Sequence, residues 1–117
     1  MKNEQKLASL LGLAQKAGKL SSGDFAVDRA IKSGKAKIIL VAADASEGTK
    51  KSYKDMAKFY NVSYYETLSK IRLGEAIGKP LRAAAVITDE GFTRSLLKLL
   101  ASQEKLDAYG RENMGVD

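Results

Sequence analysis

The chain has 117 residues, 44% of them apolar, which is enough for one domain with a single core. It contains no cysteine and no histidine, which excludes disulfides, thiolate or imidazole metal sites and nucleophile–histidine pairs. The formal net charge is +6, and its whole excess lies in residues 1–60, where 12 Lys and Arg accompany 6 Asp and Glu. This asymmetry favours a polyanionic partner, and an ordinary lysine-rich, solvated surface is the alternative.

The first predicted elements are two helices and a strand. Apolar residues spaced by three and four predict a helix over residues 5–17, ended by Gly18. The same spacing predicts a second helix over 23–33, with Phe25 outside its apolar stripe. The uninterrupted run over 38–43 is rich in β-branched residues, as expected for a central strand buried on both faces.

The third predicted helix follows this strand. Asp44, with Glu47 three residues later, resembles a capping box and predicts that the helix begins there. The inner stripe is expected to comprise Tyr53, Met56, Ala57 and Tyr60. The outer face carries Lys50, Lys51, Lys54 and Lys58, which we interpret as a solvated face.

The remaining elements complete an alternating order of helices and strands. Residues 62–65 and 83–88 predict strands, separated by a short helix that Ser69 caps and Gly78 ends. A last amphipathic helix contains Phe92, Leu96, Leu99 and Leu100. With a further short strand at 20–22, the order implies an α/β fold, a three-layer α/β/α sandwich around a small four-stranded mixed sheet.

We expect one domain over residues 1–103 and a flexible polar tail over 104–117. The first ten residues show no leader peptide, and no apolar run approaches the ~18 residues needed to span a bilayer. The sequence therefore predicts a cytoplasmic protein without membrane association.

Enzyme chemistry has one candidate pair of residues. Asp44 and Asp89 each follow a predicted strand, where open α/β sheets place magnesium ligands and catalytic carboxylates. Both also precede predicted helices, and helix capping is the favoured interpretation. No Gly-rich nucleotide-binding motif occurs, and we expect no enzyme activity, cofactor or metal.

Nucleic-acid binding is better supported. The start of the second helix offers free backbone amides to a phosphate, and Phe25 offers a face for an unstacked base if it does not pack beneath the first helix. The loop before the last strand combines two cations, an apolar side chain and a stiff proline. The candidate RNA-binding residues are Gly23, Asp24, Phe25, Arg29, Lys32, Lys37, Lys79, Pro80, Leu81 and Arg82.

Two segments carry a resemblance to a known family. GDFAVDRAIKSGKAKIILVAAD (23–44) and SKIRLGEAIGKPLRAAAVITD (69–89) resemble the two signatures of the L7Ae family of kink-turn-binding ribosomal proteins, and the likeness covers residues 5–100. Within this family, the chain resembles the bacterial, ribosome-associated branch. The resemblance implies binding of a sharply bent structured RNA, ribosomal RNA in the first place, through residues 23–29 and 78–83.

The resemblance also implies a free monomer that associates with the ribosome, with ribosomal proteins as further candidate partners. Many family members have an Asn-Glu or Lys-Gln pair, followed by a lysine, in the first signature. Here Phe25 and Ala26 replace that pair and Arg29 replaces the lysine. Phe25 and Ala26 cannot form the hydrogen bonds that read sheared G·A pairs, whereas Asp24 supplies an acceptor if the register shifts by one. A protein-interaction adaptor of the same fold, with little specific RNA affinity, is the alternative function.

Overall fold

The computed structural model describes residues 2–101, and the side chains of residues 3–101. Its elements are α1 (Lys2–Lys16), β1 (Leu20–Ser22), α2 (Asp24–Lys32), β2 (Ile38–Val41), α3 (Glu47–Tyr60), β3 (Ser63–Glu66), α4 (Lys70–Ala76) and β4 (Ala84–Ile87). A fifth helix, α5, occupies residues 90–101 of the described chain. The predicted tail, residues 104–117, lies outside the described residues.

The four strands form one mixed sheet in the order β1-β4-β2-β3. β4 runs antiparallel to both of its neighbours, whereas β2 and β3 are parallel. This confirms the predicted four-stranded mixed sheet, including the short strand at Leu20–Ser22. β2 and β4 are fully buried, because both faces of the sheet are covered by helices.

The core consists of two clusters, one on each face of the sheet. On one face, α2 and α3 contribute Val27, Ile31 and Tyr53 to the first cluster. On the other, α1, α4 and α5 contribute Leu11, Leu73 and Leu96 to the second. The strand side chains alternate between the clusters, as β geometry requires. The predicted three-layer α/β/α sandwich is thereby confirmed.

The strand ends form two opposite rows, one at each end of the sheet, which we call the upper edge and the lower edge. These names do not refer to the edge strands β1 and β3. The upper edge is where β1 and β2 end, at Ser22 and Val41, and where β4 begins, at Ala84. The lower edge is where Leu20 pairs with Ile87. α2 begins at the upper edge and runs toward the lower one, because it follows directly on β1.

Two predictions about α3 are wrong. The helix begins at Glu47 with Ser46 as its N-cap, whose side chain accepts a hydrogen bond from the Thr49 amide. The carboxylate of Asp44 instead accepts a hydrogen bond from the Lys70 amide at the start of α4, at 2.8 Å. Tyr60 is 37% exposed and does not belong to the inner stripe.

Helix ends follow the predicted chemistry elsewhere. Gly18 and Gly34 have positive φ angles after α1 and α2, a conformation that glycine adopts without strain. The Asp89 carboxylate accepts a hydrogen bond from the Phe92 amide at 2.9 Å, which confirms its capping role at α5.

Within residues 2–101, no helix combines the length and the apolar character that crossing a bilayer requires.

Candidate nucleic-acid interface

The start of α2 has amides that its N-cap does not satisfy. Gly23 occupies the N-cap position with φ 88°, and no side chain there accepts a hydrogen bond from the helix. The N-caps of α3 and α4 are serines, Ser46 and Ser69, whose hydroxyls each accept one such bond. First-turn amides have no acceptor inside their own helix, so the start of α2 is open to an external anion.

Phe25 lies beside these amides in the first turn of α2. Its side chain is 79% exposed, so it does not pack beneath α1. Arg29 follows one turn later on the same helix face, and Lys32 nearly one turn beyond that. The three side chains line one open cavity of about 640 Å³ with Asp24, Asp28 and Ser33. The predicted grouping of Phe25, Arg29 and Lys32 on one surface is therefore confirmed.

The loop before β4 is fixed against α4. The Lys79 amide donates to the Gly74 carbonyl at 2.9 Å, and the Arg82 amide donates to the Lys70 carbonyl at 3.1 Å. A Cβ atom at Gly74 would overlap the carbonyl oxygen of Pro80 and lie 2.8 Å from that of Lys79. The loop backbone can therefore lie this close to α4 only because Gly74 has no Cβ atom.

One side-chain hydrogen bond joins the loop to the start of α2. The Arg82 Nε donates to the Ser22 Oγ at 3.2 Å, and Ser22 directly precedes Gly23. The Arg82 Nη1 also donates to the Leu81 carbonyl at 2.9 Å. Leu81 itself is 56% exposed. The structure therefore links, at the upper edge, the two segments that the sequence singled out independently.

Asp24 is engaged with α3. The Tyr53 hydroxyl donates to the Asp24 Oδ1 at 3.4 Å. Burial, followed by the nearby charges of Asp24 and Asp28, raises the pKa of the Tyr53 phenol well above its ordinary value. The phenol therefore remains a donor at neutral pH, and it holds the Asp24 carboxylate toward α3.

Lys37 is not brought to this surface. It directly precedes β2, and its amide donates to the Ile87 carbonyl at 2.8 Å, which places it at the lower edge. Lys37 therefore lies apart from the start of α2 and from the loop before β4, because β2 runs from the lower edge to the upper one.

The two aspartates considered as magnesium ligands are also separated. Asp44 follows β2 at the upper edge, and Asp89 follows β4 at the lower edge, since the two strands are antiparallel. The magnesium interpretation assumed strands that end on the same side. No group of three or more Asp, Glu, His or Cys residues suited to a metal ion occurs in the described part of the chain.

Sequence reasoning missed three residues that shape the surface: Ser22, Tyr53 and Gly74. Ser22 and Tyr53 contact their partners across the fold, so local sequence carried no signal for their roles. A glycine inside a predicted helix is unfavourable by itself, which could have indicated that another backbone approaches at Gly74.

The chain is similar to a known family and to two named bacterial proteins. The model of the ribosomal protein L7Ae/L30e/S12e/Gadd45 family matches residues 5–97. A protein of Enterococcus faecium named RNA-binding protein YlxQ is 41% identical over 98 residues, covering 84% of this chain and 94% of its own length. Its namesake in Bacillus subtilis is 41% identical over 91 residues, covering 78% and 91%.

Solved structures show the same fold. A Bacillus halodurans protein of unknown function superposes with a TM-score of 0.78 at 34% identity, covering 82% of this chain and 97% of its own. The Giardia lamblia 15.5kD RNA binding protein superposes with a TM-score of 0.72 over 91% of each chain. Its identity of 19% shows a shared fold alone.

Proposed function

The chain belongs to the ribosomal protein L7Ae/L30e/S12e/Gadd45 family, and we propose that it binds a sharply bent, structured RNA of the kink-turn type. The contacts are made by the start of α2 and by the loop before β4. The two relatives described above are both named RNA-binding proteins, which agrees with the prediction that the chain is not an enzyme.

The observation that carries this proposal is the hydrogen bond between Arg82 and Ser22. It joins a loop bearing exposed Leu81 to a helix start bearing exposed Phe25. Exposed apolar side chains can contact unstacked bases, and the free amides beside them can bind a neighbouring phosphate. A continuous duplex offers no such combination, whereas a bent RNA with splayed bases does.

The candidate residues at the start of α2 and in the loop before β4 have different roles in this proposal. The first-turn amides of α2 and the guanidinium of Arg29 bind phosphates at the bend. Phe25 stacks on one unpaired base, and Leu81 covers another with Pro80 stiffening the loop. Lys79 adds a further phosphate contact at the upper edge.

Arg82 acts mainly as a link within the protein. Its Nε and Nη1 are engaged with Ser22 and with the Leu81 carbonyl, so the side chain holds the loop at a set distance from α2. We assign the remaining guanidinium N–H groups to one neighbouring phosphate.

The replacement of the polar pair by Phe25 and Ala26 has a consequence for specificity. Neither side chain can hydrogen-bond to a base edge. Recognition therefore relies on the shape of the bend and on stacking more than on the identity of its base pairs. We propose ribosomal RNA as the target, which places the protein on the ribosome in the cytoplasm.

The test is affinity for a kink-turn RNA and for an unbent duplex of equal length, each titrated from low to physiological salt. Arg29→Ala is measured beside Arg94→Ala, which removes an exposed arginine from α5. We expect kink-turn binding that is tighter than duplex binding at every salt concentration. Arg29→Ala should weaken it about tenfold, the loss of one charge-assisted contact of ~1.5 kcal/mol, and Arg94→Ala should leave it unchanged.

Two results contradict the proposal. Equal, steeply salt-dependent binding to both RNAs means attraction to any polyanion. If the protein binds neither RNA, the proposed function is wrong, and the alternative is an adaptor that binds a protein partner.

A further inference from the structure

The lower edge of the sheet presents lysines from three segments of the chain. The Thr88 amide donates to the Lys19 carbonyl at 2.9 Å, and the Lys37 amide donates to the Ile87 carbonyl at 2.8 Å. β4 lies between β1 and β2, so these bonds fix Lys19 and Lys37 on either side of its end. Two strand spacings of about 4.8 Å place their backbones on the order of 10 Å apart.

Lys32 and Lys35 extend this row from the end of α2. The Lys35 amide donates to the Ala30 carbonyl at 3.0 Å as the chain leaves the helix. We name Lys19, Lys32, Lys35 and Lys37 the lysine edge. All four residues are exposed.

None of these four lysines forms an ion pair within the described residues. The lysines that do are Lys50, Lys51 and Lys54, all on α3. The acidic residues that follow β4, Asp89 and Glu90, open α5 on the other face of the sheet, and the Asp89 carboxylate is engaged in its cap. The lysine edge therefore keeps a net positive charge in the described fold, four lysines against these two carboxylates.

The upper edge has a different charge balance. Its basic side chains include Lys70, Lys79, Arg82 and, in α2, Arg29, and its acidic ones include Asp24, Asp28 and Asp44. Opposite charges of comparable number largely cancel each other's field at a distance, and salt screens the remainder beyond about 8 Å. The upper edge suits local contacts, and the long-range attraction to a polyanion originates at the lower edge.

A continuous cavity connects the two edges. It is about 470 Å³ in volume and follows the flank of α2 over β1, from Phe25 and Arg29 to Lys35 and Thr88. The rise of 1.5 Å per residue puts Phe25 and Lys32 roughly 10 Å apart along the helix axis. A ligand held at Phe25 reaches the lysine edge along this path.

We propose that the lysine edge binds the sugar–phosphate backbone of a double-stranded RNA stem, the stem that continues from the bent segment held at the upper edge. This inference rests on the proposed function and adds the direction in which the RNA leaves the bend, along α2 toward the lower edge. A double helix presents closely spaced phosphates along its length, which an array of flexible, unpaired lysines neutralises without base contacts.

The experiment combines a protein change with an RNA change. The variant is Lys19→Gln/Lys35→Gln/Lys37→Gln, and its matched control is Lys6→Gln/Lys51→Gln/Lys98→Gln, which removes three exposed lysines from α1, α3 and α5. Each protein is titrated against a kink-turn RNA with two long stems and against versions with one or the other stem shortened. Circular dichroism checks that all variants are folded.

We expect the wild-type protein to lose affinity when one particular stem is shortened. The lysine-edge variant should bind the long RNA roughly 10- to 100-fold more weakly than wild type, with a salt slope lower by about 2–3, because each lost phosphate contact contributes about 0.9. Shortening that stem should not weaken the variant further. The control variant should behave as wild type on all three RNAs.

The outcomes separate the two proposals. If wild type binds the kink-turn RNA and the two triple variants lose affinity equally, the lysine edge has no particular role and the proposed function stands. If both stems can be shortened without effect on wild type, the stem assignment is overturned in the same way. If wild type binds no RNA, both proposals fail together.

Discussion

The two halves of the candidate interface are built differently. The loop before β4 is held by backbone hydrogen bonds to Gly74 and Lys70 and by the side chain of Arg82 on Ser22. The start of α2 lacks a side-chain cap and projects Phe25 into solvent. The first half is fixed by the protein, whereas the second keeps its hydrogen-bonding groups for a ligand.

This difference shows how a small domain can bind a bent RNA at low ordering cost. A loop already in its bound shape loses little conformational entropy on binding. The groups that contact the ligand must meanwhile be free of partners inside the protein. The structure separates the two requirements into neighbouring segments, and Ser22 is the point where they meet.

The largest expected effect comes from disturbing the fixed half through Gly74→Ala. The new methyl group would overlap the Pro80 carbonyl, so the loop must move away from α4. We expect a loss of about 1–3 kcal/mol in the free energy of unfolding, as for other overpacked sites. RNA affinity should fall roughly 100-fold, since small misplacements of positioned groups have effects of that order. Urea denaturation and RNA titration measure the two losses.

Gly48→Ala is the matched control, because it also lies in a helix. A Cβ atom there would meet nothing closer than the Ser46 Oγ at 4.0 Å. We expect it to stabilise the protein by about 0.5–1 kcal/mol, since alanine favours the helix over the unfolded chain, and to leave RNA affinity unchanged. A Gly74→Ala protein as stable as wild type would show that the loop is not held by its approach to α4.

The open half is tested by Phe25→Ala, with an intermediate expected effect. The ring is 79% exposed, so the free energy of unfolding should change by less than about 0.5 kcal/mol, as at ordinary surface positions. RNA binding should weaken by about 1–3 kcal/mol, the contribution of one stacked base. Phe59→Ala, which removes another highly exposed ring, from the end of α3, is the control. Equal affinities of the Phe25→Ala and wild-type proteins would remove stacking from the proposed interface.

Most of the fold could be predicted from the sequence because its elements have strong local signals. The apolar spacing in α2 placed Val27 and Ile31 in the core, and the β-branched run predicted the buried strand β2. Glycines with positive φ ended the helices where expected. These features depend on neighbours within a few residues, which the sequence displays directly.

The errors concern contacts between distant segments. Asp44 was expected to cap α3, yet its carboxylate accepts a hydrogen bond from the Lys70 amide at the start of α4, because the end of β2 and the start of α4 meet at the upper edge. The sequence likewise carried no sign that the direction of β2 separates Lys37 from the other candidates and carries it to the lower edge. Periodicity does not report strand direction, so the edge on which a residue lies could not be predicted.

The smallest expected effect comes from the bond between the two halves, through Ser22→Ala. Removing the hydroxyl leaves the Arg82 Nε without its partner in the protein, but the guanidinium is half-buried and can turn to water. We expect a loss of about 0.5–1 kcal/mol in the free energy of unfolding, at the lower end for a hydrogen bond. RNA affinity should fall several-fold, because the loop must then be positioned on binding.

The double variant Arg82→Gln/Ser22→Ala tests whether Arg82 only links the loop to Ser22 or also contacts the RNA. If Arg82 acts only through Ser22, the double variant should bind RNA as weakly as Ser22→Ala alone, whereas a further loss would show that the guanidinium also binds the RNA directly.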